Sequence, residues 1–230
     1  MTKICDALNI RISIPLLSPD SATIFFPLTE EDYSPQPARF INGRCTHIGK
    51  DVVMQCHEAA FGYSFAVDPL NPIGPYVKKS IKNAAHDGII LTGPEEPKSG
   101  FVYQKLVDTV VENETEEIRV LYIGKVLDIC YLKRHPIEGR FLIPSNSVQI
   151  LQTESLLSKH EVRDIAKMCA LIGMEYGEID VMRDRVDGRI YVIDMNRTPA
   201  GPPLKFSATE RKKVIGKLAD AFEDGFGNRI

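Results

Sequence analysis

The sequence lacks the marks of several large protein classes. It has no basic excess: 28 lysines and arginines stand against 31 aspartates and glutamates, a formal net charge of −3. Nucleic-acid binders carry a positive surplus, so no nucleic-acid partner is expected, and any local basic cluster calls for a local anion. No apolar run reaches the ~20 residues that cross a bilayer. The opening segment, MTKICDALNIRISIPLL, places Asp6 and Arg11 inside what would be the apolar part of a secretion signal, so neither membrane nor export is expected. The five cysteines, Cys5, Cys45, Cys56, Cys130 and Cys169, are odd in number and scattered, without a Cys-x-x-Cys pair. That spacing argues against structural zinc and for a reducing compartment, which predicts a cytoplasmic protein. Also absent are a nucleophile elbow, a P-loop, an HExxH motif, a low-complexity tract and an internal repeat.

What is present is ordinary globular material: 230 residues, 43% hydrophobic and 26% charged, enough for one large domain or two lobes sharing a cleft. Residues 1–48 are rich in proline and turn formers, with short extended runs at Ile10–Ile14 and Thr23–Phe26. Together with a helix over residues 50–60 they read as a short N-terminal lobe or cap, residues 1–60. Extended segments follow at Phe65–Val67, Tyr76–Lys79 and Ile89–Leu91, and FVYQKLVDTV reads as a strand running into a turn; residues 61–108 then form a small lobe. A hairpin pairs Ile118–Ile123 with Val126–Leu132 through Gly124-Lys125. Apolar positions between 154 and 172 fall on one helical stripe, a second hairpin turns at Asp187-Gly188, and a final helix covers roughly 207–224, so residues 109–230 make a large lobe. Antiparallel hairpins alternating with helices give an α+β class.

The most informative stretch is Gly177–Gly201, GEIDVMRDRVDGRIYVIDMNRTPAG. Strand side chains alternate faces, so Ile179, Val181, Tyr191, Ile193 and Met195 are expected on one face and Asp180, Val192, Asp194 and Asn196 on the other. A turn at Asp187-Gly188 brings Asp180 beside Asp194. Two carboxylates and an amide oxygen on one face repel unless a hard cation lies between them, and oxygen-only ligands suit Mg2+. The competing reading is the polar outer face of an antiparallel hairpin.

That stretch closely resembles the C-terminal signature of the ATP-grasp ligases, among them D-alanine–D-alanine ligase and glutathione synthetase. The signature is an acid on one strand, a glycine turn, then acid-x-Asn followed by Pro and Gly. Here it is Asp180, Gly188, Asp194-Met195-Asn196, Pro199 and Gly201, with Asp where the middle acid is usually Glu. The resemblance implies an ATP-grasp fold, two α+β lobes whose antiparallel sheets enclose a nucleotide cleft, with a reduced N-terminal region. It implies ATP as a ligand, and magnesium (two ions, with Mn2+ as a substitute) held by Asp180, Asp194 and Asn196.

The resemblance extends upstream over roughly residues 60–205. PYVKK looks like the family strand whose lysine binds phosphates, here Lys78 with Lys79 as neighbour. SIKNAAHDG occupies the place of the small-residue loop over the phosphates, with Lys82 and His86 as added donors; a plain connecting loop is the alternative. VYQKLVD resembles the segment between the lobes, implying that Gln104, Lys105 and Leu106 face the adenine and Asp108 the ribose. EEIRV resembles the strand whose arginine, here Arg119, reaches the γ-phosphate or the acyl-phosphate intermediate. LKRHPIEGRF resembles the stretch that carries cations to the acceptor, implying Arg134 and Arg140, and less so Lys133. Cys56-His57-Glu58 is no site, because adjacent helical residues point in different directions.

The implied activity is an ADP-forming ligase: a small-molecule carboxylate becomes an acyl phosphate that an amine attacks, forming a carbon–nitrogen bond. Relatives are frequently homodimers. One departure bears on the acceptor. D-alanine–D-alanine ligase carries an arginine two residues before its first metal acid, where this sequence has Glu178. A kinase acting on a small-molecule acceptor and a non-catalytic ATP-binding module are therefore the alternatives.

Overall fold

A computed structural model describes residues 2–8, 23–24, 35, 40–82, 85–141 and 145–227. The extended runs expected at Ile10–Ile14 and Phe25–Phe26 lie outside the described residues, as do Asn83 and Ala84 of the expected phosphate loop. In chain order the elements are α1 (Thr2–Ala7), β1 (Thr23–Ile24), β2 (Phe40–Ile41), α2 (Lys50–Phe61), β3 (Tyr76–Ser80), β4 (Ile89–Leu91), β5 (Phe101–Lys105) and β6 (Val110–Val111). They continue with β7 (Glu114–Ile123), β8 (Lys125–Pro136), β9 (Ser147–Gln152), α3 (Thr153–Leu156), α4 (Lys159–Ile172), β10 (Tyr176–Arg183), β11 (Ile190–Asn196) and α5 (Ala208–Phe226). A short 3-10 turn, Ile137–Gly139, follows β8.

Two antiparallel sheets organise the molecule, as the α+β expectation required. The small one has the order β4-β3-β5, and the large one β11-β10-β7-β8-β9, with β6 paired to β7. Both expected hairpins are present. β7 and β8 meet at Gly124, whose φ of 64 favours a residue without a Cβ. The strands run further than the apolar pattern predicted, because charged residues such as Glu117, Lys133 and Arg134 pair across them. The helical stripe at 154–172 divides into α3 and α4, where Ser158 and Glu161 form a capping box that starts α4. A second box, Ser207 with Glu210, starts α5.

The large sheet buries its two faces differently. One face, with Ile118, Val120, Cys130, Leu132, Ile179, Val181, Val192 and Met195, packs under α2 and α4. On the other face Leu121, Ile123, Leu127, Ile129 and Tyr131 pack with Phe206 and the α5 residues Val214, Leu218 and Phe222. The part of that face beyond α5 is charged. Within residues 40–61, Cys45, Ile48, Val53 and Ala60 contribute to the core under α4. The reason is that α2 is amphipathic and its apolar side finds α4 and β11.

Candidate functional site

Between the charged part of the large sheet and the small sheet lies a cavity of about 520 Å3, within the usual range for ligand sites. Its large-lobe wall is built by strand alternation. Glu117 and Arg119 of β7, Lys133 and His135 of β8, Asp180 of β10 and Asp194 of β11 all turn toward it. Lys79 of β3, Lys50 at the start of α2, and the 86–88 segment close it from the other side.

Asp180 and Asp194 stand directly opposite each other in the β10–β11 register, as the alternation predicted. The register then shifts between Asp180 and Val181: Val181 pairs with Val192, leaving Ile193 as an extra residue in β11. This bulge corrects the expected faces. Val192 joins Val181 and Met195 in the core, whereas Tyr191 packs with Phe65 and Val107, and Ile193 lines the cavity next to Asp194. Bulges often re-aim side chains beside functional sites, and here one presents an apolar side chain and an acid in succession.

Arg119, paired with Asp180 across β7 and β10, holds that carboxylate with two hydrogen bonds, Nε to Oδ1 at 2.6 Å and Nη2 to Oδ2 at 2.7 Å. Its Nη1 donates to Glu178 at 3.1 Å. Burial works against ionisation of Asp180, yet the guanidinium holds its carboxyl well below the usual range. Asp194 has no such cation. Its Oδ1 accepts from the Met195 N–H at 3.0 Å, and it makes no ion pair among the described residues. Burial, and then the charge of Asp180, push its carboxyl up to about 6, with Lys50 and Lys79 pulling the other way. Glu117 is raised to about 7 by burial and Asp180, although Lys133 donates to it at 2.8 Å. Burial lowers Lys79 to about 8.

Asn196 is less free than the sequence implied: its Oδ1 accepts from the Thr198 N–H at 2.8 Å and from the Thr198 hydroxyl at 3.3 Å, and it is not among the lining residues. A metal's fit can be tested on the donor set. Asp180 and Asp194 are paired oxygen donors, and the raised Asp194 carboxyl is what a cation beside it would relieve, so these two fit a hard divalent ion. Among the described residues no cluster of three or more His, Cys, Asp or Glu side chains forms a complete metal cage.

The other candidates divide. Lys78 turns to the outer face of the small sheet, where it pairs with Glu95 and lies 4.8 Å over the Phe101 ring, so Lys79 faces the cavity instead. Lys82 is exposed; its carbonyl accepts from Lys50 Nζ at 2.6 Å. Gln104 is 2% exposed and its Nε2 has no hydrogen-bond partner among the described residues, while Leu106 is half-buried after β5. Lys105 is committed elsewhere, to Asp184 at 2.8 Å and Asp187 at 2.6 Å. The Oδ1 of Asp108 accepts from its neighbour's backbone, the Val110 N–H at 3.1 Å. Arg140 lines the cavity and donates to the Val107 carbonyl at 3.3 Å. Arg134 points away, held by Glu116 at 2.8 Å, and the cavity position on β8 belongs to Lys133. In both lysine and arginine pairs the residue one step along the strand takes the site, because adjacent strand residues face opposite sides.

Sequence reasoning missed Lys50, Glu117, His135 and Lys205 as lining residues. Glu117 and His135 were within reach of it: extending the β7–β8 alternation from Arg119 and Lys133 puts both on the cavity face.

No family model matches the sequence, and no curated protein does. Solved structures match by fold. The ATP-grasp ligase PsnB complexed with minimal precursor aligns over 81% of this chain and 63% of its own, at 18% identity and a TM-score of 0.52. The same ligase with minimal precursor, Mg and ADP aligns over 82% and 62%, at 17% identity and 0.51. The VanG D-Ala:D-Ser ligase from Enterococcus faecalis aligns over 82% and 62%, at 14% identity and 0.51. The chain spans about three fifths of the length of these structures.

Proposed function

The chain has the ATP-grasp fold, and from that premise we propose that it binds ATP with magnesium between its two sheets and acts as an ADP-forming ligase. The observation that carries this reading is the cavity's opposed walls: the paired acids Asp180 and Asp194 on the large sheet, and Lys50 and Lys79 across from them. Such a pair of walls matches a polyphosphate with a divalent ion, each wall meeting the charge it needs. PsnB complexed with Mg and ADP supports nucleotide and magnesium use on this fold.

Asp180 and Asp194 would hold magnesium, with Asn196 joining them by giving up its turn with Thr198. The ion, when bound, supplies neutralisation of phosphate charge and keeps Asp194 ionised. Lys79, with its lowered ammonium, and Lys50 bind phosphate oxygens as point charges. Met182 and Ile193 offer an apolar surface to the base. Arg119 shares its guanidinium between Asp180 and the transferring phosphoryl group, stabilising charge as the acceptor carboxylate attacks. ADP leaves, an acyl phosphate remains, and an amine displaces phosphate to form the amide. A phosphotransfer ending there, a kinase reaction, is the second reading; Glu178, held by Arg119, favours it because a carboxylate cannot stabilise an oxyanion.

Calorimetry with ATP and magnesium, followed by ADP release with carboxylates in the presence and absence of an amine, tests this. A ligase makes ADP and amide in equal amounts and needs the amine for turnover, whereas a kinase turns over with the acceptor alone. No magnesium-dependent ATP binding would sink both.

A further inference from the structure

The cavity extends well beyond the acids that face Lys79. It reaches from Asp194 on β11 to Val148 on β9, the full width of the large sheet. Four interstrand steps of about 4.8 Å give roughly 19 Å. At the β11 end stand Asp194, Ile193 and Met182; at the β9 end stand Lys133, His135, Val148, Ser145, Pro203 and Lys205.

The charges at the two ends differ. On the central strand β7 stands the acid Glu117, and Lys133 of β8 already meets it at 2.8 Å. Lys205 has no carboxylate among the described residues. Its ammonium is pinned by the carbonyl oxygens of Ser145 and Asn146, the latter at 3.0 Å. Three donors on an ammonium and two carbonyl partners leave one donor for a ligand. Next to it the Phe206 ring packs against Tyr131 at 5.2 Å, which ties this segment to the large sheet. Lys205 is exposed at the mouth of this end and offers that donor to a carboxylate entering the cavity. Val148 and Pro203 suit the methylenes between two polar ends.

We propose that the β9 end is a subsite for a second carboxylate of the acceptor, received by Lys205, so that the substrate class is a dicarboxylate. The first carboxylate lies toward Arg119, where the phosphoryl group arrives, and the second is anchored at Lys205. This rests on the ligase reading, and it narrows it.

Glutarate and valerate, five-carbon acids differing in one carboxylate, are the probes, with hydroxylamine as the amine. The carboxylate takes the γ-phosphoryl group and ADP leaves; hydroxylamine then displaces phosphate, giving a hydroxamate that is measured by colour. The wild-type chain is expected to favour glutarate at least tenfold in kcat/KM. Lys205→Ala should reduce that ratio to near one by raising the KM for glutarate, with Mg·AMPPNP affinity within twofold of wild type, and Lys205→Arg should restore it. Equal use of both acids, hydroxamate from neither, or an unchanged ratio in Lys205→Ala would overturn the subsite while leaving nucleotide binding intact. Failure of the wild-type chain to bind Mg·AMPPNP would instead remove the ligase reading, and the subsite with it.

Discussion

Two charged clusters sit on either side of β11, and they are built in opposite ways. At the hairpin turn Lys105 reaches from the small sheet to Asp184 and Asp187, at 2.8 and 2.6 Å, while the Tyr191 hydroxyl donates to Asp187 at 2.6 Å and its ring lies 4.9 Å under the ammonium. Both acids there meet the lysine. The acids hold the Lys105 ammonium above its ordinary range even though burial opposes this, and Asp184 and Asp187 are correspondingly lowered. In the cavity the same residue types are met less completely: Asp194, without an ion pair among the described residues, is raised to about 6, Glu117 to about 7 despite Lys133, and Lys79 falls to about 8. Matched charge ties the two sheets together, whereas unmatched charge costs stability unless a ligand completes it.

The contrast can be broken experimentally. The largest effect is expected from Asp194→Asn, which should reduce magnesium-dependent ADP release about 1,000-fold, or ~4 kcal/mol in barrier. The same change should stabilise the ligand-free chain. A carboxyl whose folded-state pKa is raised contributes stability below pH 3.8 and loses it as pH rises through 6. The Asn variant escapes that loss, and by pH 7 denaturant melts should find it more stable by on the order of 2 kcal/mol. A variant that is inactive and also less stable would mean that Asp194 is structural.

Lys105→Met should behave in the opposite way. It strands Asp184, 1% exposed, without its cation and should destabilise the fold by about 3 kcal/mol. Urea titration measures this, and a loss below ~1 kcal/mol would remove the hairpin-turn cluster from the comparison. The smallest effect is expected from Arg134→Ala. Its partner Glu116 lies at the end of the sheet face opposite the cavity, and the two side chains are 34% and 27% exposed. Stability should change by ~0.5 kcal/mol and ADP release should not change. A tenfold loss of activity would return Arg134 to the site.

How much the sequence disclosed depended on the range of the interaction. Strand alternation, a glycine turn and two apolar runs act over a few residues, so they determined by themselves both hairpins, the pairing of Asp180 with Asp194, and the cavity-facing Arg119. The motif around Asp194 pointed to the fold that solved structures share. Only the tertiary structure decided which of two adjacent cations faces inward, Lys79 or Lys78, Lys133 or Arg134. That choice turns on which face of each sheet a distant element covers, such as the Glu95 loop over Lys78. The bulge at Ile193, the Thr198 bond to Asn196 and the arrival of Lys50 and Lys205 from separate segments likewise come from contacts between elements far apart in the chain. A local pattern sets the side a residue takes relative to its neighbours; what waits on that side is set by packing.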